Sequence, residues 1–106
     1  IWAPEQAFRQ EAILAVILIP VAILLPVSWT QSALLVLSVF LLLIVETLNS
    51  AVEAAIDRIG PELHPLSKKA KDLGSLAVLL TIFADACIWI GVLLDYFLSL
   101  ARNAAK

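Results

Sequence analysis

Residues 29–59 read as one unbroken helical period, almost wholly apolar as far as residue 45, then striped with polar side chains, and closed by Gly60-Pro61, a glycine stop followed by a proline. Some thirty helical residues span about 45 Å, more than the ~30 Å hydrocarbon core of a bilayer. Apolar segments flank it on both sides, and the 106-residue chain is 62% hydrophobic with a mean hydropathy of +1.01. A domain this small cannot wrap such runs in its own polar surface, so the bilayer must supply the solvent. The expectation is an all-α, polytopic membrane protein with three transmembrane helices, at about residues 5–25, 29–59 and 65–99. They form a single membrane-embedded domain over residues 1–106.

Pro4 suits the first helical position of the first segment, which is apolar over residues 12–25 except for Pro20, where a kink is expected. Ser28 and Gln31 have the spacing of a capping box opening the second helix, so the first turn is tight and uncharged. The third helix starts near Pro65 and crosses the bilayer over residues 76–94. Arg58, Lys68, Lys69 and Lys71 flank one connection and Arg9 lies at the same end. The positive-inside rule therefore puts that connection and the N-terminus in the cytoplasm. Trp2, Trp29, Trp89 and Tyr96 lie near the predicted interfaces as anchors, and only Trp89 is deep enough to wall a lipid pocket. Ser50 and Ala54, Ala51 and Ala55, and Ala70 and Gly74 repeat at four-residue spacing, which predicts close packing of the second and third helices. Three helices enclose little interior, so polar stripes predict a homo-oligomer with sites between protomers.

The opening Ile1-Trp2-Ala3-Pro4-Glu5 has no basic n-region, so no cleavable signal peptide is expected. The lack of an initiator Met suggests that the N-terminus is truncated. A net charge of −2 and a pI near 5.2 offer no basic field for nucleic acid. Cys87 has no intrachain partner and reads as a packing residue.

Glu46, Asn49, Glu53 and Asp57 follow one another at i, i+3, i+7 and i+11. At roughly 100° per residue they all fall within about 60° of Glu46, giving one helix face three carboxylates and an amide. Counted from Ala33, Glu46 sits about 20 Å along the axis and Asp57 about 16 Å beyond it, so the stripe runs from the inner hydrocarbon boundary into water. A charge held near the bilayer centre costs about 2.5–3.5 kcal/mol on insertion scales, which makes Glu46 a functional candidate. A carboxylate deprived of water is also the stronger proton acceptor, suited to taking a proton from a hydroxyl at the membrane surface. The plainer alternative is an interhelical hydrogen bond.

Glu53 lies two turns towards the cytoplasm, where a hard divalent cation such as Mg²⁺ would take its oxygens, with Glu5 and Glu11 as further donors; a solvated glutamate is the competing reading. Lys68-Lys69-Ala70-Lys71 fits phosphate neutralisation and membrane anchoring equally well. Asp57 and Arg58 read as a solvated pair closing the helix, and His64 as an isolated surface histidine. No phosphate loop, GxGxxG, HExxH or nucleophile triad is present, which excludes soluble kinase and hydrolase folds.

The run Ile44-Val45-Glu46-Thr47-Leu48-Asn49-Ser50-Ala51-Val52-Glu53-Ala54-Ala55-Ile56-Asp57-Arg58-Ile59-Gly60 resembles the small prokaryotic integral-membrane diacylglycerol kinases. So do Ala70-Lys71-Asp72-Leu73-Gly74-Ser75 and Glu5-Gln6-Ala7-Phe8-Arg9-Gln10-Glu11, and the likeness covers nearly the whole chain. It implies a homotrimeric helical bundle in the bacterial inner membrane, with an active site at the cytoplasmic face and MgATP as phosphoryl donor. It also implies Glu46 as catalytic base and Asn49 as its orienting neighbour. Nucleotide contacts would come from Glu5, Glu53, Glu62, His64, Lys71 and Asp72, with Glu5 and Glu53 holding the metal. Ala7, Glu11, Ser75 and Trp89 would line the lipid site. The implied partners are ATP, a membrane lipid substrate, the bilayer and further copies of the chain, with no nucleic acid. The expected reaction moves the γ-phosphoryl group to the primary hydroxyl of sn-1,2-diacylglycerol, giving phosphatidic acid. Undecaprenol is the alternative substrate within the family, since Gram-positive relatives favour it.

Two departures stand out. The family's amphipathic N-terminal surface helix is expected to have been lost with the truncated N-terminus, and Asp85 sits where an apolar residue is expected. Asp85 lies about 21 Å along the axis from Lys71, which places it beyond the stripe, hydrogen-bonded to Thr81 or protonated. From a different class, a non-enzymatic proton or ion conductor would use the same buried carboxylates as a relay.

Overall fold

The computed structural model describes residues 4–59 and 65–105, with side chains from residue 9 onward. All regular structure in these residues is helical: α1 (Pro4–Leu24), α2 (Trp29–Ile59) and α3 (Pro65–Ala104). The molecule measures 66 × 23 × 23 Å, and its long axis is set by α3, whose 40 residues give about 60 Å. α2 is the central helix and packs against both neighbours, while α1 and α3 make no close backbone approach to one another among the described residues.

The start of α2 is fixed locally. Gln31 N donates to Ser28 Oγ at 3.1 Å and Ser28 N donates to Gln31 Oε1 at 3.3 Å, the reciprocal pair that the spacing predicts. Leu25 N still bonds to Val21 O and Val27 N to Leu25 O, so the chain turns within a few residues of Leu24. α1 continues past Pro20 to Leu24. At the other end α3 runs on to Ala104 rather than stopping near residue 99. Residues 100–104 contain no breaker, and Arg102 in the last turn suits the helix dipole and donates to Ser99 Oγ at 3.1 Å.

A small core forms beside the first turn. Ala22, Leu35 and Val92 bury there, one from each helix, with Leu25, Val27, Val36, Ile88 and Trp89 against them. Most of the remaining apolar surface faces outward, including Val16 (72% exposed), Leu24 (80%) and Phe83 (70%). Patches of that size are unsuited to water, and α2 and α3 are each long and apolar enough to cross a bilayer. The chain therefore has the length and the outward apolar surface of a helical membrane protein.

Candidate functional site

Three contacts fix how α3 lies along α2. Trp89 Nε1 donates to Ser38 Oγ at 2.9 Å, Gly74 abuts Asn49, and Lys71 Nζ meets Asp57 Oδ1 at 3.0 Å. The residue numbers rise on one helix as they fall on the other, so the helices are antiparallel and the stripe of α2 faces the first half of α3.

Glu46, Asn49 and Glu53 are all half-buried on this face. Asn49 Nδ2 reaches Glu53 Oε1 at 3.4 Å, a long bond, and Asn49 Oδ1 is buried without a partner. Its close neighbour is Gly74, where a Cβ would collide with that oxygen, so a side chain there would push the Asn49 amide out of its seat. The small-residue spacing of Ala70 and Gly74 thus has a specific use: it seats an amide between the helices. The carboxylates of Glu11, from α1, and Glu53 are the charges that act on Glu46. Three acidic side chains from two helices therefore share one neighbourhood, although no group of three metal-type ligands closes among the described residues.

Asp57 is exposed and pairs with Lys71, not with its neighbour Arg58, because the antiparallel packing brings α3 alongside while Arg58 points elsewhere on α2. An exposed pair of this kind contributes at most about 1 kcal/mol. Asp72 and Ser75 are exposed on α3. Glu62 and His64 lie outside the described residues, as do the side chains of Glu5 and Ala7.

Between α1 and α3, floored by α2, is a cleft of about 300 Å³. Leu14, Ala15 and Leu18 line it from α1, Val39, Leu42 and Leu43 from α2, and Ile82, Asp85, Ala86 and Trp89 from α3, with Glu11 in the same wall. Glu11 and Trp89 thus share one space. So does Asp85, although none of the stripe residues Glu46, Asn49, Glu53 and Asp57 lines that space. Lys71 pairs at the far inner end of α2, and the α2–α3 register puts Asp85 about one helical turn, ~6 Å along the axis, outward of the level of Glu46. Asp85 does not bond to Thr81. The Thr81 hydroxyl donates to Ala77 O at 2.8 Å, as helical threonines do, and Asp85 Oδ1 stays buried without a partner. The signal for Asp85 was present in the sequence as an ionisable residue in the middle of a span; its relation to the site needed the register.

Residues 1–93 match the family model described as prokaryotic diacylglycerol kinase. The chain is 46% identical over 96 residues to a diacylglycerol kinase of Escherichia coli K12, covering 91% of this chain and 79% of that protein. It is 51% identical over 90 residues to one of Pseudomonas aeruginosa PAO1, covering 85% and 73%. A Helicobacter pylori J99 diacylglycerol kinase is 46% identical over 88 residues, covering 83% and 69%.

Proposed function

Since the chain belongs to the prokaryotic diacylglycerol kinase family, we propose that it transfers the γ-phosphoryl group of ATP to the primary hydroxyl of sn-1,2-diacylglycerol, releasing phosphatidic acid and ADP. The observation that carries the reading is Glu46: a half-buried carboxylate on an apolar, membrane-length helix, beside Asn49 and under the influence of Glu11 and Glu53. A group held at that depth meets a lipid hydroxyl and little water.

Glu46 takes the proton as the lipid oxygen bonds to the γ-phosphorus and the bond from phosphorus to the bridging oxygen of ADP breaks. Asn49, seated against Gly74 with its Nδ2 on Glu53, orients the reacting groups. Lys71 and Asp72, at the cytoplasmic end of α3, serve the nucleotide phosphates, with Lys71 released from its exposed pair with Asp57. Glu62 and His64 complete the nucleotide side. Such a transfer depends chiefly on positioning and charge neutralisation, which this set supplies.

Glu53 fits a Mg²⁺ role: it is a carboxylate with only a 3.4 Å bond to Asn49 holding it, and Mg²⁺ takes one or two carboxylates together with substrate phosphates rather than a closed protein cage. Glu5 is the second donor. When bound, the ion neutralises phosphate charge. We place the enzyme in the bacterial inner membrane as a homotrimer of three-span protomers, with the site at the cytoplasmic face and lipid entering along the cleft that holds Glu11 and Trp89. The small shared core and the outward apolar surface favour association of copies.

The test is transfer of ³²P from ATP to lipid by purified protein in bicelles, with diacylglycerol and undecaprenol assayed side by side. Labelled phosphatidic acid as the main product is expected. Preference for undecaprenol would move the substrate assignment, and no transfer to either would overturn the kinase reading.

A further inference from the structure

The cleft between α1 and α3 contains a carboxyl group that the proposed transfer leaves unused. Asp85 Oδ1 is buried there without a donor, and the nearest hydroxyl on its own helix, Thr81 Oγ1, is committed to the Ala77 carbonyl. The surrounding wall is apolar, from Leu14, Leu18, Leu43, Ile82 and the ring of Trp89, whose N–H is already given to Ser38 Oγ. An unpaired buried oxygen is costly inside a protein, and hydrocarbon offers it nothing. The same cleft includes Glu11, one of the two carboxylates that act on Glu46, and lies about one helical turn outward of Glu46 at the level of Asp85. Its volume of about 300 Å³ accommodates a small polar head and the start of an acyl chain.

Resting on the lipid-kinase reading, we infer that Asp85 is a specificity-determining residue that accepts a hydrogen bond from a second hydroxyl of the lipid alcohol. With the reacting hydroxyl at Glu46, a hydroxyl on the adjacent carbon points along the cleft towards Asp85, about one helical turn farther into the bilayer. Diacylglycerol has one hydroxyl, engaged at Glu46, and leaves Asp85 unpaired. A monoacylglycerol brings the second hydroxyl and satisfies it. Sites that pair a buried polar group with a ligand hydroxyl discriminate strongly against the analogue that lacks it, so Asp85 tilts acceptance towards lipids with neighbouring hydroxyls.

Steady-state kinetics in bicelles test this with 1-monoacylglycerol and 1,2-diacylglycerol of the same acyl chain, using the unsubstituted protein, Asp85→Leu and Asp85→Asn. In Asp85→Leu the monoacyl-to-diacyl ratio of kcat/KM is expected to fall about tenfold, chiefly through KM for the monoacyl lipid. Asp85→Asn keeps an acceptor oxygen and is expected to hold the ratio within about twofold. If Asp85→Leu fails to assemble, Asp85→Ala carries the same comparison. An unchanged or raised ratio overturns the assignment, as does an equal loss on both lipids. So does an unchanged ratio with weaker cross-linking between copies, which would mean that a second protomer supplies the donor. Absence of transfer by the unsubstituted protein overturns the kinase reading itself, whereas normal transfer with an unaltered ratio overturns only the role of Asp85.

Discussion

The two ends of the α2–α3 pair are built from the same kinds of side chain to opposite effect. Towards the first turn, polar groups are closed off: Ser28 and Gln31 cap each other, Gln31 Nε2 reaches across to Asp95 Oδ2 at 2.9 Å, and Trp89 donates to Ser38, which donates to Leu35 O at 2.6 Å. Ala22, Leu35 and Val92 bury beside them. Towards the other end, Asn49 Oδ1 has no partner, the Asn49–Glu53 bond is stretched to 3.4 Å, and the Lys71–Asp57 pair is exposed. The first arrangement pairs each of these polar groups and ties α2 to α3. The second leaves a buried acceptor unpaired and its charges in weak or exposed contacts, which costs stability where function is expected to need it.

The largest effect that tests this division is at Glu46. Glu46→Gln keeps size and polarity but removes the base, so turnover is expected to fall on the order of 10³-fold while thermal unfolding in detergent barely moves. Retained turnover would mean that the open end does not hold the base. Next comes Gly74→Ala, whose Cβ enters the space of Asn49 Oδ1. It is expected to cost about 1–3 kcal/mol from overpacking and to lower kcat by roughly tenfold by displacing Asn49, read by denaturation and kinetics together. Loss of stability with kcat intact would separate Asn49 from the chemistry. The smallest effect belongs to the closed end: Ser38→Ala strands the Trp89 N–H and is expected to cost about 1 kcal/mol in unfolding, with turnover within about twofold. A larger loss of turnover than of stability there would show that the ends are not independent.

Much of this was legible along the chain. The period of residues 29–59 gives α2, Gln31 three residues after Ser28 gives its cap, and the i, i+3, i+7 spacing puts Glu46, Asn49 and Glu53 on one face, because helix geometry turns spacing directly into angle. The end of α3 was less legible, since no breaker residue marks it and the sequence beyond residue 99 remains compatible with helix. Asp57 was rightly placed in water but given the wrong partner, and Asp85 was wrongly paired with Thr81, for a common reason. Position along one helix says nothing about which turn of a neighbour it meets, and the pairing of Asp57 with Lys71 and the meeting of Asp85 with Glu11 in one cleft depend on that register.

The sequence by itself determined the helices, their caps, their affinity for lipid and the polar face on α2, all of which are set by interactions within about four residues or by averages over a span. Only the tertiary structure decided that Gly74 seats the Asn49 amide, that Lys71 turns to Asp57, and that Asp85 lines the cleft with its Oδ1 buried and unpaired. These depend on how one helix slides and rotates against another, a choice made by packing across the interface and invisible to any local rule.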